Sequence, residues 1–440
     1  MKIQINPGTA RGRVTAPPSK SMAHRMMICA GLAAGTSVLQ GISDSQDMQA
    51  TLDCMAALGA QWQKDGETVT ITGIGSARTA DNASACDDIR MGSAAGAAVH
   101  DDAGAAGTQI GEAVLRCRES GSTLRFFIPI CLQTGRRTQM VGAPRLMERP
   151  LQVYAQLCRE RGLLFAQEEQ TLTVQGPLPA GSYRLRGDIS SQFISGLLFA
   201  LPLCEGDSTV TILPPIESRP YIDMTLAALK TFGVRAAWQD AQTLYIPGGQ
   251  QYHACDAQVE GDFSNAAFFG ILDAIRPENQ VQIDGLPPAA DSLQADRVYP
   301  ALLARLDTPA PCIDLTDCPD LGPILFAAAA AKHGGRFVGT KRLKIKESDR
   351  GAAMAAELCK CGVSVAVGED EVLVEPSASG LQAPTVPLSG HNDHRIVMSA
   401  AVLLTLTGGV IEGAEAVSKS FPDFFDKLQA LGIEVKNIEN

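Results

Sequence analysis

The 440-residue sequence predicts an α/β (α+β) protein of two domains, assembled from six repeated units. Three observations carry this expectation. The chain is about three times the commonest single-domain size, too long for one apolar core. It returns repeatedly to one local pattern, an amphipathic helix that stops at a glycine and runs into a β-branched or apolar strand. Copies of that pattern recur about 70 residues apart, which is the mark of a repeat architecture.

The first copy is Thr51-Leu-Asp-Cys-Met-Ala-Ala-Leu-Gly59, and later copies end at Gly162, Gly233, Gly362 and Gly432. Helices often stop at a residue in the left-handed conformation, which glycine adopts without a Cβ clash. The interval from Gly233 to Gly362 is nearly two periods, so a hidden copy is expected near Tyr299-Pro-Ala-Leu-Leu-Ala-Arg-Leu306. There Asp307-Thr-Pro replaces the terminal glycine, and the strand that follows reads as shortened. The interval from Gly59 to Gly162 is too long by about half a period. Its excess falls in 82–110, a Gly/Ala/Ser/Asp-rich segment without apolar periodicity that reads as an inserted surface loop. His100-Asp101-Asp102 and Cys86-Asp87-Asp88 within it match no metal-ligand spacing, so they read as solvated loop charge.

Composition narrows the function. Lys and Arg number 37 against 48 Asp and Glu, a net charge of −11 that opposes general nucleic-acid binding. Any anionic ligand is therefore held by a local cluster of cations. Twelve cysteines are scattered without paired Cys-x-x-Cys motifs, which fits reduced thiols and a cytoplasmic protein. Met1-Lys-Ile-Gln-Ile-Asn-Pro7 alternates like a strand and lacks the apolar core of a signal peptide. No stretch reaches the roughly 20 apolar residues of a membrane helix. Gly73-Ile-Gly75-Ser-Ala-Arg78 lacks the third glycine of a dinucleotide fingerprint, and no Walker loop or Gly-x-Ser-x-Gly elbow is present. The sequence therefore points to no cofactor.

A second recurring design is a short polar or cationic cluster just before an apolar helix. It appears at Pro17-Pro-Ser-Lys20-Ser21 with Arg25, at Glu119-Ser-Gly121-Ser122 with Arg125, and at Gly187-Asp-Ile-Ser190-Ser191-Gln192. Further clusters carry more charge: Arg145 and Arg149, Lys344-Ile-Lys346-Glu347-Ser-Asp-Arg350, Asn392-Asp-His394-Arg395, and Lys419. One such cluster is an ordinary helix cap with solvated charge. Several together oppose the helix dipoles unless anions lie between them. Arg supplies a planar fork for carboxylate or phosphate and Lys a point charge, a mixture that suits two anionic substrates.

In order and spacing, Pro18-Ser-Lys-Ser-Met-Ala-His-Arg25, Pro144-Arg-Leu-Met-Glu-Arg-Pro150, Ser190-Ser-Gln-Phe193, Ser218-Arg-Pro-Tyr-Ile-Asp223, Lys346-Glu-Ser-Asp-Arg350, Asn392-Asp-His-Arg395 and Lys419-Ser-Phe-Pro-Asp423 resemble the 5-enolpyruvylshikimate-3-phosphate (EPSP) synthase family. The resemblance runs from near residue 10 to near residue 430. It implies the two-domain enolpyruvyl transferase fold, an inside-out α/β barrel of six βαβαββ units, three per domain. One domain would be 20–260 and the other 1–19 with 261–440, and substrates would bind in the cleft between them. The implied reaction transfers the enolpyruvyl group of phosphoenolpyruvate to the 5-hydroxyl of shikimate 3-phosphate, without cofactor or metal. A monomer inhibited by glyphosate is also implied, with no nucleic-acid or membrane partner.

Residue by residue, the resemblance assigns Lys20, Ser21, Arg25, Ser190, Ser191, Gln192, Ser218, Tyr221, Asp320 and Lys346 to shikimate 3-phosphate. It assigns Lys20, Gly121, Arg145, Gln192, Arg350, Arg395 and Lys419 to phosphoenolpyruvate. The 5-hydroxyl loses a proton while the methylene carbon gains one, so the site needs a base and an acid. Asp320 resembles the base and Glu347 the acid, with Lys20, Lys346 and His394 assisting.

Three features depart from the commonest family pattern. Glu119-Ser-Gly-Ser122 replaces Asn-Ala-Gly-Thr, Arg342 stands where an Asn is usual, and 82–110 is extra. One rival is UDP-N-acetylglucosamine enolpyruvyl transferase, which would use a reactive cysteine such as Cys86 in a lid. Another is a non-catalytic anion-binding homologue, which would have lost Asp320, Glu347 or Lys20. All three residues are present.

Overall fold

The computed structural model describes residues 1–75, 113–377 and 380–438. The expected insertion at 82–110 lies outside the described residues. Gly59, Gly162, Gly233, Gly362 and Gly432 all follow helices and all have positive φ, the conformation that makes glycine the natural stop.

The described strands form six sheets, five of four strands and one of two. In one representative sheet, Ala113–Arg118 pairs in parallel with Thr138–Gly142. That strand pairs antiparallel with Thr171–Gln175, which in turn pairs with Leu164–Gln167. The helices Gly121–Thr134 and Gln152–Glu160 make the two connections, giving one complete βαβαββ unit. The degenerate unit is the two-stranded sheet of Arg11–Thr15 and Gln280–Asp284. Its second helix, Tyr299–Arg305, leads directly to Cys312–Asp314 of the next sheet. The strand expected to be shortened there is absent among the described residues. Leu306 is buried at the helix end, and Asp307-Thr-Pro supplies neither strand alternation nor a donor at the proline.

The chain crosses between two cores at one place. Arg11–Thr15 joins a strand from far along the chain, while Ala257–Gln258 pairs back with Thr36–Gln40. The crossings run side by side at Pro18 and Gly261, fastened by Ser19 N–H to the Glu260 carbonyl (2.8 Å) and Asp262 N–H to the Pro17 carbonyl (2.7 Å). One buried apolar cluster spans residues 22–259, and a second is drawn from 3–14 and 263–435. We call these two bodies the middle and terminal lobes.

Each lobe has three helices that are buried on nearly every side. They are Lys20–Leu32, Gly121–Thr134 and Ser191–Ala200 in the middle lobe. Phe263–Ala274, Gly322–Ala331 and His394–Thr407 occupy the terminal lobe. A helix that is apolar all round belongs in a core, and the sheets, with alternately buried residues, lie outside it, as in Ser208–Leu213. Among the described residues no helix is long and apolar enough to cross a membrane.

Candidate active site

The inner helices bring their polar starts to one cavity between the lobes. Ser19, Ser120 and Ser190 cap the three middle-lobe helices, accepting from the backbone N–H groups of Met22, Thr123 and Gln192. The residues just beyond these caps, including Lys20, Ser21, Gly121, Ser122, Ser191 and Gln192, line the cavity. From the terminal lobe come Asp320 before Gly322–Ala331, Arg350 at the start of Arg350–Lys360, and His394 and Arg395 at the start of His394–Thr407. Helix N-termini and their free N–H groups favour anions, so the fold and the cations act in the same direction.

The cations divide into two sets. Most are matched by carboxylates: Lys20 with Asp47 (3.0 Å), Lys346 with Asp320 (3.1 Å), and Arg350 with Asp320 (2.8 Å), Glu347 (2.5 Å) and Asp393 (2.8 Å). Arg25, Arg125 and Arg149 form no ion pair among the described residues. Arg25 donates instead to Thr225 and to the carbonyls of Ser21 and Tyr221. Arg125 donates to Gln192 Oε1 (2.8 Å), whose amide donates to Ser122, and Arg149 has a buried Nε without a hydrogen-bond partner. Burial pushes Arg25 down to about 10. Burial and the neighbouring Arg149 push Arg125 down to about 9. Buried cations without carboxylates are costly unless an anion joins them.

Gly121 lies directly against these guanidinium groups. A Cβ there would stand 2.6 Å from Arg149 Nη1 and 3.2 Å from Arg125 Nη1. Ser218 takes the left-handed conformation (φ 55°), rare for a residue with a Cβ. Its hydroxyl accepts from Arg342 Nη1 at 2.5 Å, so Arg342 reaches across the lobes to a serine at the cavity wall. Tyr221, also on the wall, donates to the buried Asp296 at 3.0 Å.

The proton-handling residues form one cluster. Burial opposes charge on Asp320, but Lys346, Arg395 and Arg350 outweigh it and hold its carboxyl well below the usual range. Glu347 is partly buried, yet Arg350, Arg149 and Lys20 hold it low. Lys346 is pushed down to about 8 by burial, with Arg350 and Arg342 reinforcing the shift against the pull of Asp320. Burial and nearby Lys20 hold His394 well below the usual imidazole range, and neither ring nitrogen has a hydrogen-bond partner. His394 is therefore a neutral imidazole. Asp393 organises the group from behind: it caps His394–Thr407 through Arg395 N–H (2.9 Å) and accepts from Ser348 (3.0 Å) and Arg350.

Of the residues singled out from sequence, Lys20, Ser21, Arg25, Gly121, Ser190, Ser191, Gln192, Ser218, Tyr221, Asp320, Lys346, Glu347, Arg350, His394 and Arg395 line this cavity. Arg145 and Lys419 lie outside its wall. Arg145 is half exposed and reaches the Glu347 carbonyl (3.3 Å) and Glu148 (3.3 Å), while Lys419 pairs with Glu119 (2.5 Å). Asp47, which no motif pointed to, lines the cavity as well, and so do Arg125 and Arg149, which stood in the cationic clusters without a ligand assigned to them. The signal for Arg149 was the second arginine of Pro144-Arg-Leu-Met-Glu-Arg-Pro150. Its helix stops at Met147, so Arg145 and Arg149 do not share the face that i, i+4 spacing would give them.

The family model for EPSP synthase (3-phosphoshikimate 1-carboxyvinyltransferase) matches residues 5–100 and 89–428. The chain belongs to the EPSP synthase family. A 3-phosphoshikimate 1-carboxyvinyltransferase of Clostridium botulinum (strain Alaska E43 / Type E3) is 37% identical over 98% of this chain and 97% of the relative. One from Clostridium kluyveri is 35% identical over 98% of each. Two solved structures of EPSP synthase from Acinetobacter baumannii share the fold at TM-score 0.73, with 23% and 22% identity over at least 99% of this chain.

Within the EPSP synthase family frame, two of the three departures noted in the sequence, at Glu119 and Arg342, fall at the boundary between the lobes. Arg342 joins Ser218 and lies 3.6 Å from Glu217, and Glu119 joins Lys419. Cys86, the cysteine on which the sugar-nucleotide rival depended, lies outside the described residues. No described cysteine lines the cavity.

Proposed function

We propose that this chain transfers the enolpyruvyl group of phosphoenolpyruvate to the 5-hydroxyl of shikimate 3-phosphate, releasing phosphate in the shikimate pathway of aromatic amino acid biosynthesis. One observation carries the reading. In a chain of the EPSP synthase family, helix starts and cations from both lobes surround a partly buried Asp320–Lys346–Glu347 cluster. The domains of this reading are 20–260 and 1–19 with 261–440, and they close on the substrates.

Ser190, Ser191 and Ser218, with Arg25, Lys20, Ser21, Gln192 and Tyr221, take shikimate 3-phosphate, its phosphate going to the three hydroxyls. Asp320 and Lys346 face its hydroxyls. Arg350 and Arg395 take the carboxylate of phosphoenolpyruvate, and Lys20, Gly121, Gln192, Arg145 and Lys419 its phosphate end. Arg350 and Arg395 contact Asp320 (2.8 and 3.5 Å), so a substrate carboxylate that engages them draws two cations away from it. Asp320 then becomes a stronger base and removes the 5-hydroxyl proton as that oxygen bonds to C2. Glu347 loses Arg350 in the same exchange, which raises its affinity for the proton that it passes to C3. The tetrahedral adduct then expels phosphate and returns the C3 proton. Lys346 donates to Asp320 and steadies the charge. His394, being neutral, positions or relays for Glu347. The same reading carries a monomeric cytoplasmic enzyme, inhibited by glyphosate through its carboxylate and phosphonate ends.

The test is phosphate release on mixing the protein with phosphoenolpyruvate and shikimate 3-phosphate, repeated with UDP-N-acetylglucosamine as acceptor. Release with shikimate 3-phosphate alone is expected. Release only with the sugar nucleotide overturns the reading.

A further inference from the structure

Lys419 is held across the boundary between the lobes by a residue that no part of the proposed reaction uses. Glu119 Oε2 accepts from Lys419 Nζ at 2.5 Å and from Asn392 Nδ2 at 3.2 Å, and Lys419 Nζ also donates to the Asn392 carbonyl at 2.7 Å. Glu119 belongs to the middle lobe and the other two to the terminal lobe. The Lys419 side chain is 8% exposed and that of Glu119 35%, so the pair is only partly screened by solvent.

The backbone on both sides is shaped to make this contact. Among the described residues five non-glycines have positive φ, and three of them, Arg118 (51°), His391 (48°) and Asn392 (52°), adjoin or belong to the clasp. Such conformations persist only where the surroundings enforce them. Arg118 sits at a register shift in its strand and is anchored to Asp53 at 2.8 Å, which sets the course of Glu119. His391 is anchored through Nε2 to the buried Glu357 at 2.7 Å, which sets the course of Asn392.

We propose that Glu119 sets the affinity for phosphoenolpyruvate: its carboxylate holds Lys419 and competes with the substrate phosphate for that cation. This rests on the transfer reaction proposed above. An ammonium has three donors, and two of those on Lys419 go to Glu119 and Asn392. A neutral side chain at position 119 would leave the full charge of Lys419 to the substrate. Glu119 thus weakens anion binding at Lys419 without touching the reacting atoms.

The experiment is steady-state phosphate release by the wild type, Glu119→Gln, Glu119→Asp, Lys419→Met and the Glu119→Gln/Lys419→Met double variant, with circular dichroism to verify folding. Glu119→Gln is expected to lower KM for phosphoenolpyruvate about tenfold, with kcat and KM for shikimate 3-phosphate within about twofold of wild type. Glu119→Asp should restore the wild-type KM, and in the Lys419→Met background the Glu119 substitution should change it by less than about twofold. An unchanged or raised KM in Glu119→Gln, or an equal fall without Lys419, overturns the proposal. A merely structural clasp would shift the unfolding midpoint and leave KM alone. Should Glu119→Gln not fold, Glu119→Asn provides the same comparison. Absence of phosphate release by the wild type would count against the transfer reaction itself. Calorimetric binding of phosphoenolpyruvate alone would then still decide the role of Glu119, with tighter binding by Glu119→Gln supporting it and equal or weaker binding refuting it.

Discussion

Gly121 and Arg149 show how a single atom shapes the cavity. Because a Cβ at 121 would stand 2.6 Å from Arg149 Nη1, Gly121→Ala must push that guanidinium aside. KM for phosphoenolpyruvate is expected to rise about tenfold, the effect of one weakened charged hydrogen bond, with KM for shikimate 3-phosphate little changed. Phosphate-release kinetics at varied concentrations of each substrate would check this. Lys346 gives a pH prediction. Its ammonium is pushed down to about 8, so it loses its proton as pH rises through that value, and kcat/KM should fall on the alkaline side of about 8. Lys346→Arg keeps its charge and should move that limb to higher pH in a rate profile. At this scale the sequence was legible where a motif contained one candidate, as at Asp320. It was ambiguous where a motif held two, as with Arg145 and Arg149, because the end of a short helix decides which one turns inward.

Among elements, the 3-10 turn Ala295–Val298 carries a residue that no motif announced. Its Asp296 is buried, accepts from Tyr221, and is pushed up to about 7 by burial and by Asp320. The sign follows from linkage. Between the usual carboxyl range and about 7 the folded protein binds more protons than the unfolded chain, so this residue makes folding less favourable as pH rises. Asp296→Asn retains an acceptor for Tyr221 and removes the titration. It should therefore gain about 1–3 kcal/mol on the wild type between pH 5 and pH 8, read as unfolding midpoints at the two pH values. A constant difference would refute the assignment. Sequence could not reveal Asp296, because its significance comes from burial beside Tyr221, which lies 75 residues away. The helix–glycine–strand units, by contrast, were legible because helix period and glycine stop are both local signals. The degenerate unit was only half legible. Its helix could be read, but the absence of the strands after it depended on how directly the chain enters the next sheet.

For the whole molecule, the six-unit repeat explains how an acidic chain holds anions. Repetition delivers several helix starts to one boundary, and their dipoles and cations add locally while the net charge stays negative. Burial of cations without carboxylates at Arg25, Arg125 and Arg149 then makes binding of anionic substrates favourable. The central claim is enolpyruvyl transfer by addition and elimination, and product analysis in D₂O tests it most directly. The protein is incubated with shikimate 3-phosphate and phosphoenolpyruvate labelled with carbon-13 at C2, and the product is examined by NMR. Proton transfer to and from C3 through Glu347 predicts the label in an enol ether on the 5-oxygen, with deuterium in its methylene group. Labelled pyruvate without the ether, or an ether whose methylene carries no deuterium, would contradict the account.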